Sequence, residues 1–440
     1  MDLADLGATQ LVRMIKNGEI SSSELVDACL ARIDAKEGNI GAWSHLDPEF
    51  SRKQATFCDD YRAGGAPCGP LHGIPVGIKD IFDTKDFPTE NGTILDAGRQ
   101  PAKDCTVVSL LKTSGAIIMG KTVTTELAVY SPGKTRNPHD LERTPGGSSS
   151  GSAAAVAAGM VPLALGSQTN GSVIRPASYC GVVGFKPSHG QISRAGVLAL
   201  SRTLDHVGVF ARSIEDAALL SECLMRHDAG DPDTKPSAAP NLSEICRKYP
   251  STDPRFAFIK SPVWDRAETD CQEAFGELHE MLGEHSDEVA MPPEFDDAVG
   301  NLKYIMYADL ARYLSGHVKR GEAEISDVLM GMIKEGKTVS ALEYNNAVDM
   351  IPELSAWVGR LCDEYDAILT PATCGQAPVG ETTGDPVFCS TWTYLGVPAL
   401  TVPLMEGEDG MPIGVQLVGP CGDDARLLRS AHWLANKIAQ

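Results

Sequence analysis

The sequence predicts a layered α/β fold, and three observations carry the prediction. Helix-like and strand-like segments alternate between about residues 70 and 225, the pattern of strands connected through helices. The strand-like segments are short apolar runs closed by glycine or proline, such as GIPVGI at 73–78 and VPLAL at 161–165, and they read as buried strands. Hydrophobic residues make up 42% of 440 positions, enough for a large core, and this length admits two or three ordinary domains or one large one.

Residues 1–65 read as a covering layer of amphipathic helices. Leu11, Ile15 and Ile20 lead to the serines at 21–23, and Leu25, Ala28, Leu30 and Ile33 mark a second helix. The run at 73–78 ends at Lys79 and Asp80. Burying a charged lysine is expensive, so Lys79 either snorkels to solvent or is used as a neutral group. Residues 110–114 end a helix and 115–120 form the next strand. After Phe210 a helix extends to about Met225, and 228–254, rich in Asp, Pro and Ser, reads as an exposed connection. Strands at 255–259 and 288–291 flank a helix at 271–282. Residues 296–350 read as helical, with Tyr304, Tyr307, Arg312 and Tyr313 at a spacing that suits helix packing or a binding surface. Strands at 366–370, 399–402 and 413–418 and a helix at 427–438 complete the chain. No internal repeat or low-complexity segment interrupts it.

Residues 144–189 stand apart because no globular core requires their arrangement. Ser148, Ser149, Ser150 and Ser152 lie among Gly146, Gly147 and Gly151, a backbone suited to unusual dihedrals with hydroxyls displayed on it. An alanine-rich helix follows, with Ser152 as its expected cap and Gly159 as its stop. After the strand at 161–165, the polar turn of Ser167, Gln168, Thr169, Asn170 and Gly171 delivers Ser172, just before Val173, Ile174 and Arg175.

Composition excludes several functions. A net charge of −21 and a pI near 4.9 leave no basic patch for nucleic acid. No run approaches the ~20 apolar residues of a membrane span, and MDLADLGATQLVRMI lacks the pattern of a secretory signal. The twelve cysteines are scattered without a CxxC pair, as in a reduced cytoplasmic protein. Among them Cys180 lies nearest the serine-rich stretch, where packing and chemistry are both conceivable. The ten histidines form no HExxH, so no metal and no cofactor are expected.

The motifs GGSSSGSAAAVAAG, the turn ending in GS, CGVVGFKP at 180–187 and LHGIPVGIKD at 71–80 resemble the amidase signature family in order and spacing. The likeness continues more weakly to TWTYLGVPALTVPL and MPIGVQLVGP, and IKDIFDT, PGGSSSGSAAAV and SVIRPASYCG look most like its malonamidase branch. The resemblance implies one domain over 1–440 with a mixed central sheet covered by helices on both faces. Within it, 1–65 would be a helical layer, 66–225 the signature core, 226–350 a variable substrate-pocket region and 351–440 the closing strands and last helix. It also implies an amidase acting on a small linear amide, with a homodimer as the suggested assembly and no cofactor.

Amide hydrolysis needs a nucleophile, a proton carrier and donors for the oxyanion. Ser172 follows a tight Asn170-Gly171 turn able to aim backbone N–H groups at one spot. Lys79, if desolvated, would be a neutral base. The family pattern joins Lys79, Ser148 and Ser172 in a Ser–Ser–Lys triad, with the relay serine on a cis peptide, here Gly147–Ser148. It assigns the oxyanion hole to Thr169, Asn170, Gly171 and Ser172, and it suggests substrate contacts from Arg175, Ser149 and Gln168. Two departures stand out. Gln168 and Asn170 replace the Asp and second Gly that are frequent in the family, and Arg175 falls three residues after Ser172 instead of two, as in the malonamidase branch. There the arginine grips a substrate carboxylate, so a malonamate-like or carboxybiuret-like amide is expected; a structural ion pair is the other reading. A broad aliphatic or aryl amidase and the glutaminase subunit of a tRNA-dependent amidotransferase also remain open. GSSSG at 147–151 formally matches the nucleophile elbow G-x-S-x-G, but the polar, proline-broken segment before it is unsuited to the strand an elbow requires.

Overall fold

The computed structural model describes residues 2–439. Its strands are β1 Trp43–Leu46, β2 Pro75–Lys79, β3 Ile117–Thr122, β4 Leu163–Gln168, β5 Val183–Lys186, β6 His206–Ala211, β7 Phe256–Phe258, β8 Ser286–Glu288, β9 Ala367–Pro371, β10 Ala399–Glu406 and β11 Pro412–Val418. All join one mixed sheet in the order β1-β3-β2-β4-β6-β5-β10-β11-β9-β7-β8. Strand β2 runs parallel to β3 and β4, and β7 runs parallel to β8 and β9; the remaining pairs are antiparallel.

The parallel strands follow from the helices that connect them: Thr106–Thr113 between β2 and β3, and Ser150–Ala157 between β3 and β4. The second helix, SGSAAAVA, packs on β2, β3, β4 and β6, and its small side chains let its backbone come close. A Cβ on Gly151 would stand 2.3 Å from the carbonyl oxygen of Ala42 and 2.4 Å from the amide nitrogen of Val123, so only glycine fits. Helix Ile174–Tyr179 packs on β5, β10 and β11, and helices Ile214–Leu224 and Asp424–Ile438 add to the cover over β6 and β10, so helices lie on both faces. No helix of the described residues is long and apolar enough to cross a membrane.

Several boundaries differ from expectation. The amino-terminal layer contains β1, which pairs with β3 and forms one edge of the sheet, and helix Pro48–Ala63, capped by the Asp47 side chain. Strand β6 and helix Val387–Tyr394 carry no clear periodic signal because every residue in them is buried. Strand β4 runs on through Ser167 and Gln168, and β8 lies at 286–288, ahead of the expected 288–291. Ser152 is not a cap: it sits inside the helix, where it hydrogen-bonds Thr122 and donates to the Leu165 carbonyl, joining helix to sheet. Gly159 follows the helix end at φ +72°, as expected of a stop. The connection at 228–254 is anchored by buried Asp231, which pairs with Arg194 at 2.8 Å, and includes the short helix Leu242–Arg247.

Candidate active site

Strands β2 and β4 end side by side, with Ile78 opposite Leu165, so Lys79 lies beside Ser167 at their carboxyl edge. Lys79 is fully buried. Its Nζ meets the hydroxyls of Ser148 at 2.7 Å, Ser149 at 3.0 Å and Ser167 at 2.7 Å, and no carboxylate of the described residues. Burial holds its pKa well below the ordinary lysine value, with the Asp205 charge acting weakly in the opposite sense. A neutral amine offers two N–H groups and one lone pair, and three hydroxyls can satisfy that set without a counter-ion.

Gly146 and Gly147, at φ +82° and +59°, turn the chain so that Ser148 enters the site. Here the sequence expectation needs correction: no cis peptide bond occurs among the described residues, and Gly147–Ser148 is trans. The two positive-φ glycines make the reversal that a cis bond was expected to make. In this arrangement the Ser148 hydroxyl faces Lys79, and its backbone N–H donates to Ser172 Oγ at 3.0 Å. That bond occupies one lone pair of Ser172 Oγ and leaves the other, and the proton, free for reaction.

The nucleophile candidate lies between two structured ends. Gln168 closes β4, and its side-chain oxygen accepts from the amides of Val173 at 2.8 Å and Ile174 at 3.0 Å, fixing the start of helix Ile174–Tyr179. The residues between bulge outward, and the N–H groups of Asn170, Gly171 and Ser172 donate to no protein atom among the described residues. Three successive free amides at a turn form a concavity suited to an oxyanion. Thr169 is held by its hydroxyl, which donates to Asp205 at 2.7 Å. Asn170 is held by Tyr130 at 2.9 Å and Ser390 at 2.6 Å, and its carbonyl accepts from Thr393.

Arg175 is buried to 1% exposure, yet its Nε and Nη1 have no hydrogen-bond partner, and no carboxylate of the described residues pairs with it. Its Nη1 would stand 3.2 Å from a Cβ on Gly171, so the guanidinium lies against the turn that carries Ser172. A buried unpaired charge is costly unless a ligand completes it. Ser149 and Gln168 are placed otherwise than as substrate contacts. Ser149 is fully buried between Lys79 and the backbone of Ser167, and the Gln168 carboxamide is committed at both ends, its nitrogen donating to Thr393 at 2.8 Å.

Ser172 opens into a small pocket walled by Ala128, Val129, Tyr130, Leu200, Met306 and Leu310. Helix Ala298–Tyr313 therefore turns an aliphatic edge to the site. On the same helix Tyr304 is 40% exposed, Lys303 and Arg312 lie over the rings of Tyr307 and Tyr313, and Tyr313 lines a cleft beside Ser167 and Thr169. Cys180 is buried, its thiol pushed up by burial and directed at the Pro145 carbonyl, so it is a packing residue. No strand precedes Gly147, and the central serine of GSSSG, Ser149, is buried against Lys79, which removes the nucleophile-elbow reading. Sequence reasoning missed Ser167, Tyr130, Ser390 and Thr393, since no local spacing ties residue 130 or 390 to residue 170.

These features place the chain among the hydrolases of amide carbon–nitrogen bonds. It belongs to the amidase family, whose model matches residues 24–428. A glutamyl-tRNA(Gln) amidotransferase subunit from Salinispora arenicola is 32% identical over 99% of this chain and 98% of its own length. The corresponding subunit from Anaeromyxobacter sp. (strain K) is 35% identical over 99% and 97%. Among solved structures, one reported as a vestigial protein complex bearing on the origins of an s-triazine catabolic enzyme superposes with a TM-score of 0.91 at 28% identity, covering 98% of both chains. The peptide amidase of Stenotrophomonas maltophilia gives 0.86 at 27% over 99% and 97%. The 6-aminohexanoate cyclic dimer hydrolase, complexed with its substrate, gives 0.87 at 26% over 100% and 99%. The amidase resemblance read from the motifs thus holds for the family, and none of these relatives is described as a malonamidase.

Proposed function

We propose that this protein hydrolyses a small amide bearing a carboxylate, through an acyl-enzyme on Ser172. In this reading Ser172 Oγ attacks the carbonyl carbon, and its proton passes by the Ser148 hydroxyl to neutral Lys79. The free amides of the 169–172 turn receive the oxyanion, and Lys79 returns the proton to the departing nitrogen as the C–N bond breaks. Water then attacks the ester carbonyl, giving its proton to Lys79 along the same route, and Lys79 returns that proton to Ser172 Oγ as the acyl C–O bond breaks and the carboxylic acid leaves.

The observation that carries the substrate class is the buried Arg175 guanidinium with unpartnered Nε and Nη1 against the Ser172 turn. A carboxylate there would complete the charge and accept two hydrogen bonds. The small pocket argues for a compact substrate of malonamate-like or carboxybiuret-like size. The experiment is a substrate panel pairing each neutral amide with its carboxylated analogue on wild type and Ser172→Ala. Preference for the carboxylated member, lost with Ser172, supports the reading; equal use of both members overturns the substrate class.

A second reading is favoured by the curated relatives at 32–35% identity over almost the full chain: a glutaminase component of an amidotransferase assembly. Turnover of free amides by the isolated chain separates the two, since the assembly reading expects it to need partner proteins.

A further inference from the structure

We infer that Thr393, with Ser390 one turn before it, sets the direction of an oxyanion donor from the opposite end of the chain. The inference rests on the 169–172 turn serving as the oxyanion hole of a Ser172 acyl-enzyme. Both residues lie on helix Val387–Tyr394, which is buried throughout and reaches the turn from outside the signature core. Thr393 and Ser390 are 0% and 1% exposed.

The local chemistry leaves Thr393 little choice. Gln168 is oriented by the two backbone amides that donate to its side-chain oxygen, so its nitrogen faces Thr393 and donates to Oγ1 at 2.8 Å. The single Thr393 proton must then go to a carbonyl, and that of Asn170 is nearer than that of Cys389 at 3.1 Å. The Asn170 carbonyl and the Gly171 N–H belong to one planar trans peptide and point in opposite directions. Holding the carbonyl towards the helix therefore holds the Gly171 N–H towards the pocket. Were that peptide to flip, it would present a carbonyl oxygen where the oxyanion develops, replacing attraction with repulsion. Ser390 supports the same peptide from the side by donating to Asn170 Oδ1 at 2.6 Å, while Asn170 donates to Tyr130 at 2.9 Å. Thr393 does not face the reacting atoms; it is a positioning residue.

The test compares Thr393→Val, which keeps the shape and removes the hydroxyl, with Thr393→Ser, which restores it. We expect Thr393→Val to lower kcat roughly 10- to 100-fold, less than the ~10²–10³-fold for outright loss of an oxyanion donor, with KM little changed. A substrate-like boronic acid, which forms an anionic tetrahedral adduct on a serine, should lose affinity in parallel with kcat, and the uncleaved substrate amide, with its planar carbonyl, bound to the Ser172→Ala background should not. Thr393→Ser should recover most of both. Ser390→Ala, read by the same two measurements, should show the same pattern more weakly and serves if Thr393→Val does not fold. Unchanged kcat and boronate affinity in a folded Thr393→Val, or in Ser390→Ala where only that variant folds, overturns the inference while the nucleophile stands. An active Ser172→Ala, or a wild type indifferent to the boronate, overturns instead the reading on which it rests.

Discussion

Lys79 and Lys121 sit on adjacent parallel strands, both fully buried, yet the protein makes opposite uses of them. Lys121 Nζ contacts the Asp80 carboxylate at 3.1 Å, the carbonyls of Phe82 at 2.9 Å and Pro88 at 3.1 Å, and Thr89 Oγ1 at 2.6 Å. The carboxylate and the carbonyls favour an ammonium: burial lowers the Lys121 pKa, and the Asp80 charge and hydrogen bond act against it. Lys79 meets only hydroxyls, which can donate as readily as accept. Depth is the same for both; the chemistry of the wall decides which lysine is a charged anchor and which a base.

The largest expected effect tests that contrast directly. Lys79→Met should lower kcat/KM by at least ~10³-fold while the protein stays folded, measured by steady-state kinetics with circular dichroism as control. Its stability should rise at neutral pH. Between the lowered native pKa and the unfolded value near 10.5, the unfolded chain binds a proton that the native state refuses, so wild-type stability increases with pH across that window. The variant should lack that slope in denaturant titrations at several pH values. In wild type the same lowered pKa places the acid limb of kcat/KM below any ordinary lysine range, because protonated Lys79 cannot accept a proton; an acid limb at ordinary lysine pH would mean that the hydroxyl cage does not keep it neutral.

Arg175→Ala should reduce kcat/KM for carboxylated amides on the order of 10²-fold, a charged hydrogen bond being worth ~1.5–3 kcal/mol, and much less for neutral ones. Equal losses in both classes would make the arginine structural. Ser149→Ala, which removes one wall of the cage, should cost about fivefold in kcat, the worth of one hydrogen bond of ~1 kcal/mol. The smallest effect on activity belongs to Lys121→Met: near-normal kcat per folded molecule, with stability reduced by about 3–5 kcal/mol because Asp80 is left buried without its partner. A catalytic defect without a stability loss would erase the distinction between the two lysines.

How much of this was legible in the sequence depended on the range of the interaction. Lys79 announced itself as a charge closing an apolar run and Ser172 as a hydroxyl after a glycine turn, while Ser148 was singled out from its neighbouring serines only by the family resemblance. The layered fold was legible from alternation, but β6 and helix Val387–Tyr394 were not, because a segment buried on every side shows neither period. Gln168 looked like a pocket residue and is a helix brace, since its partners are backbone amides five and six residues ahead that no side-chain pattern records. The trans peptide at Gly147–Ser148 was misread because the expectation came from the family, while Gly146 and Gly147 supply the turn by positive φ. Thr393 and Tyr130 were beyond reach, since their contacts with Asn170 span 223 and 40 positions.

The order of strands bears on how the molecule can be made. Strands β7 and β8 pair only with each other and with β9, and β9 reaches the rest of the sheet only through β11 and then β10. On a ribosome the segment carrying β7 and β8 therefore emerges with no sheet to join until Ala367 and the strands after it have been synthesised. During that interval the apolar strand β7, with Phe256 and Phe258, depends on nearby helices or a chaperone for cover. Damage to the final third, even far from Ser172, should appear first as aggregation of newly made chains.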